Sequence, residues 1–325
     1  MNRTRLIEFS GEKLYILQAI YCTMQKRIAL ALGGNAITTK HNFSYTEQQA
    51  QLMKTAKVIA NLVKKGHSII ITHGNGPQVG SILLQNEADS KAEMPLDVCG
   101  AESQAQIGYM LQQALHNEFT KRGIKKKVCT VVTQVLVDKK DPAFKNPEKP
   151  IGPYYSRKES LKFKNKYRVK LVPGKGFRRV VPSPDPQDII EIDQIKQLAK
   201  ESIVICCGGG GIPVTLERGK LQGIRAVIDK DKAAALLAKK LKADTLLILT
   251  DVDAVYLNYN TTSQKKLKDT SISKARAYLA EGMFPHGSMG PKVQAAINFN
   301  KKTVITSIDK AEKALAGKEG TVIRK

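Results

Sequence analysis

The chain has 325 residues, 42% of them hydrophobic, 25% charged and 6% aromatic. That suffices for one large α/β domain or two compact units and excludes a disordered, collagen-like or disulfide-dense chain. Lysine and arginine number 53 against 29 acidic residues, a formal charge of +24, which favours anionic partners. No apolar run approaches the ~18 residues of a membrane span, so no membrane partner is expected. The five cysteines, Cys22, Cys99, Cys129, Cys206 and Cys207, are odd in number and lack metal-ligand spacing, the usage of a reducing compartment.

Residues 1–23 precede a second methionine, Met24, and carry Arg3, Arg5 and Lys13 beside a modest apolar stretch at 14–22. They are read as an N-terminal extension, either a targeting segment or an upstream start. The rest of the chain, 24–325, alternates short β-rich runs with helical stretches. A buried strand at 27–32 is followed by a helix at 46–65, a strand at 68–72, a helix at 101–122 and a strand at 128–137. After an interruption come a helix at 187–200, a strand at 203–207, a helix at 230–242 and a strand at 245–250. Helices at 271–280 and 291–302, a strand at 303–306 and a helix at 309–316 complete the order. This alternation predicts an α/β fold, an open αβα sandwich with a mainly parallel central sheet.

The interruption differs in character. Residues 139–179 hold five prolines (Pro142, Pro147, Pro150, Pro153 and Pro173) and 14 Lys or Arg against three acids. Such proline density rejects helix interiors and central strands. The segment 139–182 is therefore read as an excursion between two αβ blocks, either a solvated surface insert or a lid over an anionic ligand.

Three expected strands run directly into glycine: Leu32 into Gly33, Gly34 and Asn35; Thr72 into His73, Gly74, Asn75 and Gly76; and Cys207 into Gly208, Gly209, Gly210 and Gly211. Glycine lets backbone N–H groups approach a ligand, and a following helix N-terminus adds donors, so each junction can cradle a phosphate or be no more than a tight turn. In an open α/β sheet all three would lie at the carboxyl ends of the strands, where ligands bind. No G-x-x-x-x-G-K-[ST] occurs, and the nearest approach to G-x-G-x-x-G, at 74–80, is one residue too long. No H-E-x-x-H, G-x-S-x-G or Cys/His cluster is present, which counts against zinc and serine-triad chemistry. His41, His67, His73, His116 and His286 are scattered, and a structural role is read for His73. The adjacent Cys206 and Cys207 are read as small hydrophobes in a buried strand. Three lysines stand out by position: Lys230 and Lys292 at expected helix starts, and Lys140 at the opening of the basic insert. Lys230 is expected to point towards the loop at 208–211.

The blocks ALALGGNA at 29–36, THGNGPQVG at 72–80, VTQVLVDKKDPAF at 132–144, VVPSP at 180–184, AVIDKD at 226–231 and GSMGPK at 287–292 together resemble carbamate kinase, within the amino-acid kinase superfamily, from about Met24 to the last residue. The resemblance implies an αβα sandwich of about eight central strands with a protruding subdomain, a cytoplasmic homodimer, and reversible phosphoryl transfer between ATP and carbamate, run towards ATP from carbamoyl phosphate and ADP in arginine catabolism. It implies that Lys140, Lys230 and Lys292 neutralise the transferred phosphoryl group and that Asp231 orients them. Gly33, Gly34, Asn35, Gly74, Asn75 and Gly76 match the loops around carbamoyl phosphate. Gly208, Gly209, Gly210, Gly211, Asp251, Tyr256 and Met289 fall where the family binds nucleotide, with Mg²⁺ arriving on ATP or ADP. The insert departs from the family at GKGFRR, 174–179, where a tryptophan commonly precedes the first arginine.

The alternative within the superfamily is a kinase of another acyl carboxylate or of a nucleoside monophosphate. A nucleic-acid-binding role, suggested by the charge alone, is set aside: no RRM-like, zinc-finger or arginine-rich motif is present, aromatics are sparse, and basic residues occur throughout.

Overall fold

The computed structural model describes residues 26–38, 44–88, 91, 93–163, 167–285 and 287–325. The 1–23 extension, Cys22, His41 and His286 lie outside the described residues. In chain order the first half contains β1 (Arg27–Leu32), α1 (Tyr45–Lys64), β2 (Ser68–His73), α2 (Gly76–Ala88), α3 (Leu96–Lys121), β3 (Lys127–Thr130) and β4 (Gln134–Val137). The insert contributes β5 (Lys149–Tyr155), α4 (Arg157–Ser160), β6 (Arg168–Val172) and β7 (Gly176–Val181). Then come β8 (Pro186–Ile189), α5 (Ile192–Leu198), β9 (Ser202–Ile205), β10 (Ile212–Glu217), β11 (Lys220–Gly223), α6 (Lys230–Lys240) and β12 (Thr245–Thr250). The chain closes with β13 (Val255–Leu257), β14 (Lys265–Leu267), β15 (Asp269–Ser271), α7 (Ile272–Ala280), α8 (Met289–Phe299), β16 (Lys302–Ser307), α9 (Ala311–Leu315) and β17 (Thr321–Arg324).

The central sheet has eight strands in the order β15-β17-β16-β12-β1-β2-β9-β3. Only the β16–β17 pair is antiparallel. Strand β1 shows why both faces are covered. Its larger residues Ile28, Leu30 and Leu32 join Leu52 and Ile59 of α1 and Ile107 and Leu111 of α3. Its alanines, Ala29 and Ala31, face Ala234 and Ala238 of α6 and Val293 and Ala296 of α8. The period of two thus assigns a face to each residue, and small side chains on one face let α6 approach closely. Because β1, β2 and β9 are neighbours and parallel, the three glycine junctions leave the sheet at the same edge.

Two expectations need correction. The run at 128–137 is not one strand: β3 edges the central sheet, whereas β4 joins a second sheet of order β11-β10-β4-β8. Between them Gln104 of α3 accepts from the Thr133 N–H at 2.8 Å and donates to its carbonyl at 3.1 Å, which keeps the Thr133 N–H out of either ladder. The first part of the expected helix at 187–200 is instead β8, paired antiparallel with β4. Pro186 opens this edge strand, a position where no ladder N–H is needed. Helices α3 and α8 also begin earlier than expected, so Pro291 sits at the third position of α8, still in the first turn, where its missing N–H costs no helix bond.

The insert forms a three-stranded antiparallel sheet, β5-β7-β6. Its Ile151 and Val181 pack with Val79 and Leu83 of α2, and Arg179, fully buried, pairs with Glu87 of α2 at 2.5 Å. Among the described residues no helix is long and apolar enough to cross a membrane.

Candidate active site

The start of α6 organises the site. Asp229 is the N-cap, its Oδ1 accepting from the Asp231 N–H at 2.9 Å, which satisfies one of the orphan donors of the first turn. Asp231 then sits in the positive first turn, 3% exposed, where a carboxylate is favoured. Lys230 Nζ donates to Asp231 Oδ1 at 2.5 Å. Lys292, from the first turn of α8, donates to Asp231 Oδ2 at 3.2 Å and to the Ser288 carbonyl at 3.2 Å. Two ammoniums therefore share one buried carboxylate. Burial pushes the Asp231 carboxyl up, but the charges of Lys230 and Lys292 outweigh it and hold the group below its ordinary value. Burial lowers Lys230, against the raising effect of Asp231 and with Lys292 adding to the fall.

Lys230 runs beside a glycine junction. Its stem lies on Gly74, where a Cβ would stand 3.4 Å from Lys230 Cδ, so it borders the junction after β2. Gly34 and Gly76 are exposed with open space above them, whereas Gly33 and Asn75 are buried and Asn35 is half-buried. Asn75 donates to Ser103 Oγ at 2.8 Å.

The residues matched to nucleotide divide into two groups. Asp251, Tyr256 and Met289 line one cavity of about 120 Å³ with Lys292, Tyr259 and Pro285. The loop of Gly208, Gly209, Gly210 and Gly211 is packed into the protein: the His73 ring lies 2.5 Å from where a Gly208 Cβ would stand, the Asn75 amide fills the corresponding place at Gly209, and the Ile228 carbonyl that at Gly210. With φ of +67°, +100° and +89°, Gly209, Gly210 and Gly211 adopt backbone that other residues resist. His73 is buried and its Nδ1 contacts the Gly74 carbonyl at 2.9 Å; burial brings its imidazole down to about 4. Cys206 and Cys207 are buried in the core beside β9.

Two parts of this arrangement were not anticipated. Asp253 accepts from Tyr256 Oη at 2.6 Å and binds Lys266 Nζ at 2.7 Å and Lys310 Nζ at 3.3 Å, which fixes Tyr256 in the cavity wall. The hydrogen bond to Asp253 pushes the Tyr256 phenol up to about 12. More important, the insert lysine that reaches α6 is Lys149, whose Nζ binds Asp229 Oδ2 at 2.7 Å. Lys140 is exposed and is not among the ion-pair partners of Asp231.

Burial pushes the Asp229 carboxyl up, but the charge and hydrogen bond of Lys149, with Lys230, hold it at about 2. A carboxylate held below its unfolded value stabilises the fold above that value and loses this contribution as pH falls through the folded one. The window here runs from about 3.8 down to about 2. Lys149→Ala is expected to lower stability at pH 7 by ~1–2 kcal/mol and to move the acid unfolding midpoint upward. Circular dichroism during acid titration checks this; an unchanged midpoint would show that the pair contributes nothing.

An αβα sandwich that gathers ammoniums at the carboxyl edge of its strands, beside a tyrosine-walled cavity, defines a phosphotransferase. Residues 26–308 match the sequence profile of the amino acid kinase family. A carbamate kinase of Pyrococcus horikoshii is 47% identical over 312 residues, 92% of this chain and 99% of that one. One of Staphylococcus epidermidis is 47% identical over 313 residues, with the same coverage. The structure of carbamate kinase from Giardia lamblia bound to AMP-PNP is 44% identical, covers 93% of this chain and 99% of that one, and superposes with a TM-score of 0.87. The UMP kinase from Bacillus anthracis, 15% identical with a TM-score of 0.54, shares the fold alone. The chain belongs to the amino acid kinase family, and within it to the carbamate kinases.

Proposed function

We propose that Lys230 and Lys292, oriented by Asp231, stabilise the phosphoryl group passing between a nucleotide and carbamate. The observation that carries this reading is the pair of ammoniums on one buried carboxylate, between the Gly74 junction, which Lys230 borders, and the cavity that Lys292 lines. Charge spreads over the equatorial oxygens of a phosphoryl group in transfer, so positioning and electrostatics dominate and no protein nucleophile is needed. One ammonium about 4 Å from such an oxygen contributes on the order of 4 kcal/mol at an effective dielectric near 20. Carbamate is already anionic, so no general base is required. Gly33, Gly34, Asn35, Gly74, Asn75 and Gly76 form the acceptor end. Asp251, Tyr256 and Met289, with the loop of Gly208, Gly209, Gly210 and Gly211, hold the nucleotide.

Mg²⁺ would be carried mainly by phosphate and water oxygens. Asp251, in the cavity wall, is the carboxylate that would face it. Bound there, Mg²⁺ neutralises charge along the nucleotide phosphates.

Lys140, exposed in the insert, neutralises the phosphoryl group when the insert closes, and Lys149 ties the insert to the α6 cap at Asp229. The insert, 139–182, acts as a lid: its sheet is seated on α2, whose first residue is Gly76, and its Lys149 touches the cap of α6. Hydrogen exchange should show stronger protection of 149–181 with ADP plus carbamoyl phosphate than without; equal protection would leave a static surface insert. Physiological flux runs towards ATP, because released carbamate decays to ammonia and CO₂. Four described cysteines are free thiols, in keeping with a cytoplasmic site of action. The unpaired edge of β3 and the exposed Tyr109 and Val132 support a homodimer through this face. A coupled assay of ATP formation from ADP tests the reaction. Turnover is expected with carbamoyl phosphate and none with acetyl- or glutamyl-phosphate donors; the reverse preference would assign a different acyl acceptor.

A further inference from the structure

The opposite end of the central sheet holds charge that the phosphoryl-transfer site does not use. A cleft of about 650 Å³ opens where β1, β2, β3, β9 and β12 begin, lined by Arg27, His67, Lys125, Lys126, Lys200 and Lys242, with Asp244 as its one acid. We propose that this cleft binds a compact oligophosphate.

Basic residues at helix C-termini have a simpler purpose, since they complement the negative end of the macrodipole, so the charges must be weighed. Helices α1, α3, α5 and α6 end around the cleft, each contributing about −0.5 elementary charge, roughly −2 together. Asp244 adds one more, and it accepts from the Arg27 backbone N–H at 2.8 Å. Against these stand five full cations, which leaves an excess of about +2 after the dipoles are counted. Arg27 is engaged, its guanidinium donating to the Leu241 carbonyl at 2.7 Å. Lys125, Lys126, Lys200 and Lys242 are exposed and take part in none of the ion pairs among the described residues.

A second observation points to a ligand. His67 lines the same cleft, and its Nδ1 is buried without a hydrogen-bond partner. A buried polar atom left unpaired costs free energy that a bound acceptor recovers. Burial, then the charges of Lys26 and Lys65, favour the neutral imidazole, which retains one N–H to donate.

The size and lining select the ligand. The cleft volume lies within the ~300–1,000 Å³ of small-molecule sites. No Phe, Tyr or Trp side chain lines it, so the stacking platform of a single-stranded nucleic-acid site is missing. The site faces away from the junctions at Gly33, Gly74 and Gly208, so the proposal stands whether or not the assignment of the acceptor is correct.

Inorganic tripolyphosphate is the probe, titrated calorimetrically into the full chain at two salt concentrations. The wild type is expected to show a class of site that weakens with salt. The triple variant Lys125→Ala/Lys200→Ala/Lys242→Ala should bind at least tenfold more weakly there, with unchanged thermal midpoint and ATP-forming activity. Lys230→Ala should leave this class intact, and the His67 ring resonances should shift on titration in the wild type. A wild-type isotherm in the triple variant, or its loss in Lys230→Ala, would overturn the proposal. So would affinity through the same lysines that grows with the length of an added oligonucleotide.

Discussion

Lys230→Ala is expected to lower kcat by ~10²–10³-fold, the usual scale for losing one donor that stabilises transition-state charge. The fold should survive, because the substitution does not orphan its partner. Asp231 keeps Lys292 at 3.2 Å, and its place in the first turn of α6 is held by its N–H, which donates to the Asp229 carboxylate. Breaking a buried pair is costly when a charge is left alone; here one counter-charge remains. Removal also relieves the desolvation that lowers Lys230 in the folded chain. Lys230→Arg should not restore turnover. The stem passes the Gly74 backbone at close range, and a planar guanidinium cannot replace a compact ammonium in that slot. Steady-state kinetics with a thermal melt of each variant check both statements. Turnover near wild type in the alanine variant would remove Lys230 from the mechanism.

The parts of this site that the sequence exposed are those fixed by local chemistry. Strand β1 could be recognised because its apolar run ends at Gly33, and the start of α6 because a helical stretch opens at Lys230. Lys230 and Lys292 were identifiable as lysines at helix starts, and Asp231 through the resemblance carried by AVIDKD at 226–231. What escaped depends on long-range pairing. Strand β8 has a helix-compatible pattern and becomes a strand only because β4 lies beside it. The prolines of the insert argued against central strands, and Pro150 and Pro153 accordingly lie in β5, an edge of its small sheet. Lys149 was hidden among 14 basic residues of the insert. Nothing in its neighbours distinguishes it from Lys140 until β5 brings it to Asp229, 80 positions away. The glycines of the 208–211 loop meet positive φ and close packing against His73, Asn75 and Ile228, a need that sequence cannot distinguish from phosphate binding.

Asp231→Asn separates an orienting carboxylate from a proton acceptor. The amide keeps the size of the side chain but leaves Lys230 and Lys292 facing each other without their shared counter-charge. In the native chain burial lowers Lys230 and Asp231 opposes that fall, so the variant's Lys230 should lose its proton at a lower pH still. An ammonium acts only when protonated, which fixes the sign: the alkaline decline of kcat should move to lower pH by about one unit or more, equivalent to ~1.4 kcal/mol. At pH 7–8 kcat should fall at least ~10²-fold, with partial recovery as the assay is made more acidic. A general base predicts the opposite profile, a loss at every pH with no acid recovery. Stability provides a second readout. Asp231 is held below its ordinary value by Lys230 and Lys292, so the stabilisation it contributes is present above about pH 3.8 and disappears as pH falls further. The variant should lack that contribution, and at neutral pH should be destabilised by ~3–5 kcal/mol unless one lysine sheds its proton. A variant that keeps wild-type stability together with a displaced pH profile would mean that Lys230 has become neutral, and direct titration of its Nζ resonance would show it.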